Sequence, residues 1–136
     1  MIAKDIMGRV KAPKKNANCR DVAMKLLSEE YSSLPVVDDE GYVVGIVSEF
    51  DILKAIRSGK DLASVAVNEI MSRNPVCVEA DMPVDKLIDI MTSKHLIRVP
   101  VVKDGKLLGT VSRRNIMDSL VFHEFKESFW VLKDSD

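Results

Sequence analysis

Two spacings of apolar residues alternate along this chain, and the alternation runs through twice. Val84, Leu87, Ile88 and Met91 stand at i, i+3, i+4 and i+7, which lines one face of an α-helix, with Asp81 just ahead in position to cap it. Val22, Ala23, Leu26 and Leu27 form a less regular stripe of the same kind upstream. Each stripe is followed by a short β-branched run, a turn containing glycine, and a second run: "LPVV", "DDEG" and "YVVGIVS" in one place, "VPVV", "KDG" and "LLGTVS" in the other. That order predicts a β-hairpin. A last helix is predicted after each closing serine, carrying Ile52, Leu53 and Ile56 in the first instance and Ile116, Leu120 and Val121 in the second.

The duplication is explicit when residues 5–58 are laid over residues 69–121. "DIM" (Asp5 to Met7) meets "EIM" (Glu69 to Met71), Leu34 to Val37 meets Val99 to Val102, Gly45 meets Gly109, and Ile52 meets Ile116. The period of about 64 residues exceeds the roughly 20–50 of solenoid units, so two copies of one small domain are expected. The fold class is mixed α/β: repeat 1 over 1–64, repeat 2 over 65–122 and a tail over 123–136. Each repeat is expected to be a small β-sheet with two packed α-helices, and a pseudo-two-fold axis to relate the pair. A unit of about 55 residues buries too little surface to be secure alone. The copies should pack sheet to sheet and leave equivalent clefts at their junction, a common place for ligands.

Those clefts would be lined by a phrase written twice, "GIVSEFD" (45–51) and "GTVSRRN" (109–115). Ser48 with Asp51 three residues on fits a capping box, in which a serine oxygen and a carboxylate each satisfy a backbone N–H of the first helical turn. The same place is a helix N-terminus, where free N–H groups and the helix dipole suit phosphate. Ser48 could donate to such a phosphate while Asp51 accepts from ribose hydroxyls. In the second copy Ser112 is followed by Arg113, Arg114 and Asn115, which puts positive charge in a first helical turn against the dipole. An anion nearby would remove that conflict; so would guanidinium groups turned into water. Arg98, immediately before "VPVV", adds a third cation.

Composition narrows the function classes. Twenty basic and 21 acidic side chains in 136 residues give a formal charge of −1, so no overall field draws the protein to nucleic acid or to an anionic membrane. Arg9, Lys11, Lys14 and Lys15 lack interleaved aromatics and read as a solvated loop. Cys19, Cys77, His95 and His123 lack metal-ligand spacing and point to reduced thiols. No nucleophile with a base, phosphate loop or metal cluster is recognisable, so a non-enzymatic role without a cofactor is expected. No segment approaches the ~20 apolar residues of a membrane span and the start lacks a signal-peptide core, so a cytoplasmic location is expected.

The order "DIM" or "EIM", amphipathic helix, "PVV" with an acidic turn, then "GIVSEFD" or "GTVSRRN", resembles a tandem pair of CBS domains, named from cystathionine β-synthase. The resemblance spans residues 1–122. It implies a regulatory sensor that binds an adenine nucleotide (AMP, ADP or ATP) or S-adenosylmethionine in its clefts, associates as a homodimer and acts on another protein. Gly45, Ser48 and Asp51 match the family's binding pattern, whereas Asn115 departs from it, since a neutral amide is a weaker acceptor for ribose hydroxyls. "IRVPVV" is similar to a segment of the regulatory γ subunit of AMP-activated kinase, and that likeness implies a phosphate contact for Arg98. It also implies adenine contacts at a first short strand of each copy, around Val10, Lys11 and Ala12 and around Val76, Cys77 and Val78. A purely structural dimerisation module with empty clefts is the competing reading. Phe122, Phe125, Phe129 and Trp130 in the tail suit dimer packing or a cover for the core.

Overall fold

The computed structural model describes residues 1–122, the side chain of Phe122 excepted; the tail aromatics Phe125, Phe129 and Trp130 lie outside the described residues. The first half contains α1 (Ala3–Ile6), α2 (Cys19–Ser28), β1 (Ser33–Val37), β2 (Val43–Ser48) and α3 (Glu49–Arg57). The second contains a 3-10 turn (Val67–Glu69), β3 (Ser72–Arg73), β4 (Val78–Glu79), α4 (Val84–Ser93), β5 (Arg98–Lys103), β6 (Lys106–Ser112) and α5 (Arg113–Met117), which runs on as a π-helical turn to residue 122. No described helix is long and apolar enough to cross a membrane.

The two hairpins form as expected, β1 antiparallel to β2 and β5 antiparallel to β6. The stripe on α4 is buried through Val84, Leu87 and Met91, and Val22 and Leu26 do the same for α2. Three details differ from the sequence reading. Helix α4 has Pro83 at its N-cap position and no side-chain cap, and Asp81 does not cap it; the Val84 N–H donates instead to the Met1 carbonyl at 3.1 Å. No strand forms over Val10–Ala12; the strand position is taken by Lys14, in an isolated parallel bridge to Val37. In the second copy Val76 and Cys77 also lie outside any strand, and Val78 opens β4, parallel to β5.

The packing units cross the repeat boundary. Ala3 and Ile6 of α1 are buried with Val78, Leu87, Met91, Val99 and Val111 of the second copy. Val67 and Met71, which lead the second copy, are buried with Val22, Leu26, Leu34 and Val47 of the first. Backbone pairing follows the same exchange: β3 adds to the edge of β2, while Gly8 and Thr110 exchange two hydrogen bonds of 2.9 Å on β6. The acidic residue of each "DIM" or "EIM" closes the exchanged turn. Asp5 accepts from the Ile2 N–H at 2.9 Å and Glu69 from the Ala66 N–H at 3.0 Å.

Close approach explains both glycines of the repeated phrases. A Cβ on Gly45 would meet the Met71 side chain and lie 2.7 Å from the Ser72 carbonyl oxygen; one on Gly109 would lie 2.5 Å from the Gly8 carbonyl oxygen. The hairpin tips complete the junction. Val43 N–H donates to Gly105 O at 3.2 Å and Leu107 N–H to Gly41 O at 3.0 Å, so the two sheets meet edge to edge there.

Candidate functional site

Both phrases end in the capping geometry their spacing suggests. The Asp51 N–H donates to Ser48 Oγ at 3.3 Å, and Asp51 Oδ2 accepts from the Ser48 N–H at 2.8 Å. The Ser48 hydroxyl also lies 3.1 Å from Asp51 Oδ2 and donates to it. A hydroxyl has one proton, so Ser48 as placed has none left for a phosphate. Asp51 Oδ1 makes no hydrogen bond among the described residues. The second copy repeats the cap with an amide: Ser112 N–H donates to Asn115 Oδ1 at 2.9 Å and Asn115 N–H to Ser112 Oγ at 3.1 Å.

The three arginines have different surroundings, although the Arg113 N–H donates to the Ile97 carbonyl at 3.0 Å beside Arg98. Arg113 lies on a groove between α4 and α5, beside Ile88, Met91, His95, Ile116 and Met117. Arg114 is exposed. Arg98 is the one that enters the junction. It pairs with Ser112 across β5 and β6, and Pro100 pairs with Thr110. Alternation along a strand puts Arg98, Thr110 and Ser112 on one face, opposite the core face that carries Val99, Val101 and Val111. Thr110 and Ser112 are the buried polar side chains among the described residues, 1% and 7% exposed.

From that face Arg98 Nη1 donates to Thr110 Oγ1 at 2.7 Å, and the guanidinium stacks 4.6 Å from the centroid of the Tyr31 ring, contributed by the other repeat. Arg98 Nε is buried without a partner among the described residues. Burial pulls this guanidinium below its ordinary pKa, because removing a charge from water disfavours the charged form. No carboxylate lies within ion-pair distance of it among the described residues, where the pairs are Arg20 with Asp21 and Lys25 with Glu29. Tyr31 and Thr110 were missed in the sequence. The signal for both lies in the alignment of the copies: Tyr31 stands where the second copy has Leu96, and Thr110 where the first has Ile46.

The neighbourhood of Arg98 reaches the first phrase. Ser32, next to Tyr31, accepts from the Glu49 N–H at 3.0 Å. Ser32, Ser48 and Glu49, with Ile97 from the strand approach to Arg98, border a groove of about 430 Å³ between α2 and α3. Its floor is apolar, with Leu26 and Ile52, and its rim carries the exposed side chains of Leu27, Phe50 and Leu53. Leu27, Leu53 and Ile56 of the apolar stripes are exposed, and so is Val121 in the second copy. Among the residues expected to meet adenine, Val78 is consumed by the core of the second repeat and Val10 packs against the core of the first. Lys11 is exposed, while Ala12, Val76 and Cys77 are half-buried. The described residues contain no His, Cys, Asp and Glu cluster suited to a metal ion.

A family model described as "CBS domain" matches residues 3–58 and again residues 67–121. An uncharacterized protein of Methanopyrus kandleri is 32% identical over 99 residues, 71% of this chain; the chain spans half the length of that relative. The CBS domain pair of protein MJ0100, solved with 5'-methylthioadenosine and S-adenosyl-L-methionine, superposes with a TM-score of 0.76 at 31% identity, covering 91% of this chain and 97% of that one. CBSX2, solved with AMP, superposes with a TM-score of 0.79 at 25% identity, covering 90% and 98% respectively.

Proposed function

The chain belongs to the CBS-domain family, and from that premise we propose that it is a non-catalytic regulatory module that binds an adenine nucleotide where its two repeats meet. Arg98 carries the choice of ligand. A half-buried cation with, among the described residues, an unpartnered Nε and no carboxylate at ion-pair distance is best completed by an anion,. That favours a phosphorylated adenosine, as in the AMP complex of CBSX2, over the cationic sulfonium found with MJ0100. Asp51 supports the ribose end, with Oδ1, unpartnered among the described residues, placed to accept hydroxyl protons while Oδ2 stays in the cap. Asn115 offers a weaker acceptor in the same position of the second copy.

The exposed apolar rim of the α2–α3 groove supports a second feature of the proposal. Leu27, Phe50 and Leu53, exposed together on that rim, are suited to a second copy of the chain in an isologous dimer,.

Calorimetric titration with AMP tests the nucleotide reading. Asp51→Ala should weaken AMP by about ten- to a hundredfold, the loss expected for hydrogen bonds to a carboxylate, and Asn115→Ala should weaken it less. The reading fails if the wild-type chain binds no adenine nucleotide at millimolar concentration, or if Asp51→Ala binds like wild type.

A further inference from the structure

Arg98 is held from both repeats, and the two holders break the internal repeat in the same direction. Thr110 replaces the Ile46 of the first copy on the junction face of β6, opposite Val111, and its hydroxyl takes the guanidinium at 2.7 Å. Tyr31 replaces the Leu96 of the second copy and supplies a ring face 4.6 Å away. Both departures exchange an aliphatic group for one that binds a cation, by hydrogen bond in one case and by the ring quadrupole in the other. An arginine serving as an interdomain latch would be expected to meet a carboxylate. This one meets none among the described residues and keeps its Nε buried and unpartnered. The hold fixes the plane of the guanidinium without neutralising it, which lowers the ordering cost when an anion arrives.

We infer that Thr110 and Tyr31 are positioning residues that fix the Arg98 guanidinium across the repeat junction and thereby set the preference of the site for phosphorylated over unphosphorylated adenosine ligands. The inference rests on the nucleotide reading above and adds to it the groups that create charge selectivity.

The test is titration of the whole chain with AMP, adenosine and pyrophosphate, in wild type and in Thr110→Val, Tyr31→Leu, Thr110→Ser and Tyr31→Phe. Thr110→Val should weaken AMP by about three- to tenfold, and Tyr31→Leu by about two- to fivefold. Adenosine should stay within about twofold in both. Thr110→Ser and Tyr31→Phe, which keep the hydroxyl and the ring, should retain the wild-type ratio of AMP to adenosine affinity. In an Arg98→Ala background the Thr110→Val and Tyr31→Leu effects should disappear. Tyr31 is half-buried, so Tyr31→Leu carries the test if Thr110→Val does not fold. An AMP-to-adenosine ratio unchanged in the Val and Leu variants, or a parallel fall for both ligands, overturns the inference. A wild type that binds pyrophosphate through Arg98 and Thr110 but neither AMP nor adenosine upholds the positioning role and removes the nucleotide reading. Binding of none of the three ligands removes both.

Discussion

A methyl group added at Gly45 or Gly109 has nowhere to go, because backbone carbonyls of the exchanged segments occupy the space. Gly45→Ala and Gly109→Ala should each lower stability by about 1–3 kcal/mol through overpacking. Gly8→Ala is the control, since nothing lies within 4 Å of the added Cβ; a urea midpoint shift as large in Gly8→Ala would contradict the packing account. The thiols give a second residue-level prediction. Burial first, and Glu69 second, push the Cys19 thiol above its ordinary 9.0; burial and Glu79 do the same to Cys77. The folded state thus keeps protons that the unfolded chain releases, so this contribution is constant below the ordinary thiol pKa and is lost as pH rises above it. Stability measured across alkaline pH should fall, and fall less in Cys19→Ala. Disulfide-exchange reagents at neutral pH should modify the half-buried Cys77 before the fully buried Cys19,. At this scale the sequence was partly legible. The capping pairs followed from a three-residue spacing, but the roles of Gly45 and Gly109 depended on neighbours about 26 and 100 residues away in the chain, which no local rule reaches.

Elements defined by their own periodicity were readable, and those defined by a partner were not. The α4 stripe of Val84, Leu87 and Met91 is a property of one helix, so its burial could be anticipated,. Val10–Ala12 has strand-like content, yet its backbone finds no ladder, and pairing begins at Lys14. The surplus of apolar positions on the helices after each phrase was legible, but what covers the exposed Leu27, Leu53 and Ile56 was not, because periodicity reports an apolar face without saying what packs on it,. The exchange of leading segments yields the element-level prediction. Removing residues 1–7 deletes Ala3 and Ile6 from the core of the second repeat and the Met1 carbonyl from the start of α4. The expected loss is about 2–5 kcal/mol, the range for emptying one large buried aliphatic position, measured by chemical denaturation. Protection from hydrogen exchange should drop first in α4, β5 and β6. Loss confined to α2 and the first hairpin would contradict the exchanged arrangement.

For the molecule as a whole, the proposed dimer makes the apolar rim a shared interior. Sedimentation at tens of micromolar should give twice the chain mass, and Phe50→Asp with Leu53→Asp should return it to the monomer with α-helical content retained. A wild-type chain that stays monomeric would leave that rim to another partner. The junction described by Arg98, Tyr31 and Thr110 was the part of the site least legible in advance, because it appears only when residues of the two repeats are brought together in the fold. The exchange of "DIM" and "EIM" has one more consequence, for how such a chain can arise. A polypeptide carrying a single copy could not fill its own core, since its leading segment belongs in a neighbour; it would have to trade that segment with a second chain, and its folding would become second order in protein. Fusing two copies makes the trade internal, at an effective concentration on the order of millimolar for a short tether. The duplication thus converts an assembly that dilution would dissolve into a fold that dilution leaves untouched, and it lets the two halves diverge, so that an arginine without a counterpart in one can meet a tyrosine without a counterpart in the other.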